Sequence, residues 1–146
     1  MLGNLLLVID GSEASIAAAN FAVRLAAQVD SILHAIYVVD TATMDYLMQM
    51  RIFIAEERQE FEKDLERTGT RYLDYVKTIG RKCHVEIQPH LKRGRFHQTV
   101  LQTSRELEVD AIILGGWCAS VTRKDATCVE RQLVLTDSKC PVIIVR

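Results

Sequence analysis

Four unbroken or nearly unbroken apolar runs limit what this chain can fold into: Leu5–Ile9, Ile32–Val39, Ala111–Leu114 and Val142–Val145. Each is too short for a buried helix and rich in branched apolar residues, so each reads as a strand covered on both faces. Only His34 interrupts them, and it is expected inside or at the margin of the core. Such strands need helices above and below. Between Glu13 and Gln28, Ala18, Phe21, Ala22 and Leu25 follow i, i+3, i+4, i+7, and the many alanines let that helix approach a sheet closely. Asp10-Gly11-Ser12 forms the turn before it, with Ser12 as N-cap.

Between Asp40 and Ala111 the signals weaken. Tyr46, Leu47, Met50, Phe53 and Ile54, then Phe61 and Leu65, then Tyr72, Leu73, Val76 and Ile79 make a broken helical stripe among charges. It predicts a long helix from about Asp45 or later to about Ile79, open to interruption, weakened at Gly69 and stopped by Gly80-Arg81-Lys82. The stripe reads as core rather than a cofactor pocket, with its first part free to move or to pack on a partner. Cys83–Gln88 alternates like a half-exposed edge strand, and Pro89 suits its end. Lys92-Arg93-Gly94-Arg95 reads as a solvated basic turn rather than an anion site, leading into a helix from Phe96 to Leu107 with Val100, Leu101 and Leu107 buried. Thr127-Cys128-Val129-Glu130 has the form of a capping box for a last helix ending near Asp137.

Strand and helix therefore alternate along the whole chain. That pattern specifies an α/β fold: a doubly wound, five-stranded parallel sheet with right-handed crossovers, helices on both faces and strand order 3-2-1-4-5. In that order the loops after Ile9 and Leu114 flank a crevice at the carboxyl ends of the first and fourth strands. With 146 residues, 49% of them hydrophobic, the expected organisation is one domain over residues 1–146.

Leu5-Leu-Leu-Val-Ile-Asp10-Gly11-Ser12-Glu13-Ala14-Ser15, Tyr37-Val38-Val39-Asp40 and the ending Cys140-Pro141-Val142 resemble the universal stress protein family, over nearly the whole chain. The resemblance implies a Rossmann-like fold. In the family's nucleotide-binding branch, a G-x-x-G-(nine residues)-G-(S/T) loop after the fourth strand holds the phosphates. Here Gly115 takes the first glycine position, but Cys118 and Cys128 take the other two and Val129 replaces the hydroxyl residue. By the same resemblance Asp10 matches the acid on the adenosine side, and Val38 the residue whose backbone meets adenine. A phosphate loop needs bare backbone N–H groups, so the cysteine side chains crowd the anion and Val129 offers it nothing.

Two functions fit. The first is a cytosolic regulatory or interaction module of the stress response that binds no ATP and has no cofactor. It would be a homodimer through Val142, Ile143, Ile144 and Val145, an apolar edge without internal proline or lysine, where family members commonly pair. The alternative holds ATP or AMP through Asp10, Val38 and the Gly115–Val129 loop, with Arg123 and Lys124 replacing lost backbone contacts. The first is the better fit, because point charges do not recreate a backbone cradle.

Other classes are excluded by what the chain lacks. A net charge of −1 gives no attraction to nucleic acid or anionic lipid. No apolar run reaches the length of a membrane span, and Met1-Leu-Gly-Asn-Leu is no signal peptide, so a cytoplasmic location is expected. Its four cysteines are expected as thiols. His34, His84, His90 and His97 lack the spacing of a metal pair, and no metal is expected. Ser12, Ser15 and Ser120 lie in no G-x-S-x-G elbow, so no catalytic residue is assigned and no enzyme is expected. Cys118 and Cys128 are expected as neighbours on the crevice rim, either as a redox pair or as space-filling residues.

Overall fold

A computed structural model describes residues 2–52, 54–116 and 126–146. Its elements run β1 (Asn4–Val8), α1 (Glu13–Val29), β2 (Ile32–Asp40), α2 (Thr41–Gln49), α3 (Ala55–Lys82), β3 (Ile87–Gly94), α4 (Phe96–Glu106), β4 (Ala111–Gly115), α5 (Ala126–Asp137) and β5 (Val142–Val145). The five strands form one parallel sheet in the order β3-β2-β1-β4-β5. Central β1 explains the unbroken apolar run. Leu5, Leu6 and Leu7 lie between Leu33, His34 and Ala35 of β2 and Ala111, Ile112 and Ile113 of β4. Side chains alternate along a strand. Leu5 and Leu7 therefore join Ala18, Ala22, Leu73 and Val76 of α1 and α3, while Leu6 and Val8 join Phe96, Val100 and Val134 of α4 and α5.

Ser12 caps α1 as expected, its Oγ accepting from the Ser15 N–H at 3.1 Å. The helix ends at Asp30, whose left-handed backbone lets its successor Ser31 and its own N–H both reach the Ala26 carbonyl.

The region between β2 and β4 differs from the sequence expectation. The interruption left open for the long helix is present, dividing it into α2 and α3, and α2 starts directly after β2, ahead of the expected start. Along the stripe Leu73 and Val76 are core, but Tyr46, Met50, Ile52 and Ile54 are each more than half exposed. α3 runs unbroken through Gly69. A Cβ there would stand 2.4 Å from the Tyr37 ring, so the glycine marks where the helix crosses the sheet. Gly80 does not end it: α3 continues to Lys82, Gly80 packs on Ile87, and His84 makes the turn with φ 56°.

The strand expected at Cys83–Gln88 is β3 at Ile87–Gly94, and Lys92 and Arg93 pair with Val38 and Val39 instead of forming a turn. As an edge strand β3 mixes Gln88, His90, Lys92 and Arg93 with Ile87 and the exposed Leu91, which hides it from any search for apolar runs. The Glu86 carbonyl accepts from the Leu33 N–H, so even-numbered residues face β2 and Pro89 turns its missing N–H to the open edge. α5 runs Ala126–Asp137, so Thr127 lies within the helix and not at the N-cap position expected for it. Phe53, Cys118, Ser120, Arg123 and Lys124 fall outside the described residues. Among the described residues no helix is long and apolar enough to cross a membrane.

Candidate functional site

The crevice at the carboxyl ends of β1 and β4 is built from the turn after β1, the end of β4 and one face of α5. The turn is closed on itself. Asp10 Oδ1 accepts from the Ser12 N–H at 2.9 Å and from the Ser12 hydroxyl at 2.6 Å. The Gly11 N–H donates to Ser15 Oγ at 3.1 Å, and that hydroxyl donates to the Ser12 carbonyl at 2.9 Å. Gly11 is required twice over: its φ is +87°, and an added Cβ would meet the Tyr72 ring at 2.7 Å.

Asp10 Oδ2 forms a salt bridge with Arg131 of α5. Arg131 is only 9% exposed, and its guanidinium lies 5.2 Å from the centre of the Phe96 ring. Burial pushes its pKa below the usual guanidinium range, and the Asp10 carboxylate supplies the counter-charge this position demands. Both carboxylate oxygens of Asp10 are therefore occupied by the chain's own groups.

Glu130, one residue earlier on α5, turns to α4. Its Oε2 accepts from the His97 N–H at 2.9 Å and pairs with His97 Nδ1 at 2.5 Å, while Oε1 accepts from Arg95 Nε at 3.0 Å. The N-cap of α4, Arg95, gives no side-chain cap of its own. Glu130 supplies one from another helix and sets a negative charge at the positive end of the α4 dipole. Burial acts to raise the Glu130 pKa, but the His97 N–H, the His97 ring and Arg95 outweigh it and leave the carboxyl below its ordinary range.

Of the residues expected in a nucleotide site, Asp10 and Gly115 lie at the carboxyl ends of the adjacent strands β1 and β4. Val38 lies two residues beyond Ile36, whose carbonyl accepts from the Ile9 N–H, so its backbone stands beside the Asp10 turn. Gly115 has a structural use. A Cβ on it would lie 2.6–2.7 Å from backbone atoms of Ala14 and Ser15, so the first turn of α1 rests directly on the end of β4. Cys128 is half-buried and Val129 exposed in the first turn of α5, while Cys118 and its relation to Cys128 lie outside the described residues.

Asp10 is engaged by Arg131 and Ser12, and position 129 is a valine without a hydroxyl. Arg131 itself was not singled out from the sequence. A signal existed, because Arg131 lies three residues before the fully buried Val134 and so belongs to the inward stripe of α5, where a charge demands a partner. Among the described residues no three His, Cys, Asp or Glu side chains come together to hold a metal ion.

Similarity to known proteins agrees with this architecture. The profile described as the Universal stress protein family matches residues 1–116. Universal stress protein MJ0531 of Methanocaldococcus jannaschii is 25% identical over 138 residues, covering 94% of this chain and 78% of that one. A universal stress protein family structure from Burkholderia pseudomallei superposes with TM-score 0.77 at 20% identity, covering 99% of this chain and 96% of that one. A family structure from Arabidopsis thaliana with AMP bound superposes with TM-score 0.68 at 11% identity, covering 98% and 90%. At these identities the two structures establish the fold alone.

Proposed function

Since the chain belongs to the universal stress protein family, we propose that it is a cytosolic regulatory or interaction module of that family, dimeric and without enzymatic activity, which binds no ATP. The observation that carries this reading is Asp10, whose two carboxylate oxygens are taken by Arg131 and Ser12. A ligand hydroxyl approaching there competes with Ser12 for Oδ1 and meets an Oδ2 already paired with the Arg131 guanidinium. The side chain of Cys128 and the absence of a hydroxyl at Val129 support the reading from the phosphate side.

A second reading, ATP or AMP bound through Asp10, Val38 and the Gly115–Val129 loop, is favoured by one fact: the Arabidopsis thaliana relative carries AMP on the same fold. Titration calorimetry with ATP and Mg²⁺, and separately with AMP, distinguishes the two. The expected result is no saturable heat at millimolar nucleotide. Micromolar binding that perturbs residues 115–129 overturns the proposal. Binding of AMP and ATP with equal affinity, perturbing only Asp10 and Val38, identifies an adenosine site without a phosphate site.

A further inference from the structure

Away from the crevice, a buried imidazole meets a half-buried one. His34 on β2 and His90 on β3 approach with Nδ1 of the first 3.1 Å from Nε2 of the second, and the other ring nitrogen of His34 lies 3.3 Å from Asn4 Oδ1 on β1. The rings are 5.3 Å apart at their centres. We propose that Asn4, His34 and His90 form a proton-sensitive fastener across the three strands at one edge of the sheet, closed at neutral pH and loosened in mild acid, freeing the β3 edge first.

The hydrogen bonds assign the closed state. Asn4 Oδ1 can only accept, so His34 Nε2 carries its hydrogen and His34 Nδ1 is left as an acceptor. His90 Nε2 then donates to it. Every contact in this chain of three is satisfied with both imidazoles neutral. Asn4 is fixed in turn: its N–H donates to Asp110 Oδ2 at 3.0 Å, and its carbonyl accepts from the Asp110 N–H at 2.8 Å. One added proton goes to His90 Nδ1 and leaves the bond from His90 Nε2–H to His34 Nδ1 in place. A second sets N–H against N–H at a separation of 3.1 Å, with no lone pair between them.

The surroundings favour the neutral form. His34 is 4% exposed and lies opposite Leu6, while His90 lies opposite Ile36, on the face covered by α4. That helix buries Phe96, Val100 and Leu101 and keeps its charges Arg105 and Glu106 exposed. Burial lowers the pKa of His34, with Glu86 opposing. Burial, then His34, then Lys92 lower that of His90.

Both folded-state values therefore lie below the ordinary 6.5. The unfolded chain takes up protons first as pH falls. The stability from neutral burial is complete above about pH 6.5, declines as pH falls below it, and levels off below the folded pKa values. Each histidine lowers the folding constant by up to about tenfold per pH unit across that window.

The test compares the unmodified protein with His90→Gln, whose amide still donates to His34 Nδ1 but does not titrate. Urea unfolding from pH 7.5 to 5 is expected to show a folding constant that falls at least about fivefold further in the unmodified protein than in the variant. Equal pH dependence in the two overturns the proposal. Imidazole ¹⁵N NMR of the unmodified protein decides independently should His90→Gln fail to fold. It is expected to show Nε2–H tautomers for both rings and titration below 6.5, and titration of His34 and His90 at or above that value overturns it. Amide protection factors are expected to fall in β3 before β4 on acidification, and a uniform fall removes the edge from the proposal.

Discussion

Replacing Arg131 by Met keeps an aliphatic stem over Phe96 and removes the guanidinium, leaving the Asp10 carboxylate with Ser12 alone. With the Arg131 side chain 11% exposed and that of Asp10 24% exposed, the loss is expected at about 2–3 kcal/mol in urea unfolding. Asp10→Asn combined with Arg131→Met is expected to recover at least half of it, because the uncompensated charge is then gone, and strictly additive losses would show that the two residues are not coupled. At this scale the sequence was half legible. Asp10, Ser12 and Gly11 declare themselves by their place after an apolar strand, since turn and cap chemistry is local. Arg131 and Glu130 do not, because their partners Asp10, Arg95 and His97 are distant in the chain and only the fold brings them together. His90 was hidden in the same way: nothing local shows that β3 sets it against His34.

Helix propensity and packing give opposite forecasts for Gly69→Ala in α3. By propensity alone alanine gains about 1 kcal/mol in a helix interior. Its Cβ, however, would lie 2.4 Å from Tyr37 and 2.9 Å from Leu91, so helix and sheet must separate. Net destabilisation of about 1–3 kcal/mol is expected from thermal or urea unfolding, and any stabilisation would refute the close crossing. The same competition explains which elements could be read in advance. β1, β2 and β4 announce themselves because solvent is excluded from most of their side chains, and β5 because its four half-buried residues are all apolar. β3 borders solvent, takes Lys92 and Arg93 into its ladder, and so was mistaken for a turn while the preceding alternation was mistaken for the strand. The break between α2 and α3 left no glycine or proline to mark it: Met50, Ile52 and Ile54 there look like core yet stand in solvent.

Across the whole molecule, strand order followed from the alternation of elements and the handedness of crossovers, which leave few choices. The proposed dimer depends on the open side of β5. The Pro141 and Val145 carbonyls accept from the Ile112 and Gly116 N–H groups, so odd-numbered residues face β4 and the backbone groups of Val142 and Ile144 point outward. Ile144→Pro therefore removes an outward donor and spares the ladder to β4. Sedimentation is expected to show a dimer for the unmodified protein and a monomer for Ile144→Pro, and a dimer in both would move the interface elsewhere. The two halves of the sheet are joined by something smaller. Neighbouring residues of opposite sign on α5 engage different halves, Arg131 the end of β1 and Glu130 the start of α4. Were α5 to slip by one residue toward its C-terminus, the position facing Asp10 would receive the Glu130 carboxylate; slipping toward its N-terminus, the position facing Arg95 would receive the Arg131 guanidinium. Each misalignment sets like charges together, so the order of two letters in the sequence encodes the angular setting of a helix and rejects its nearest wrong alternatives.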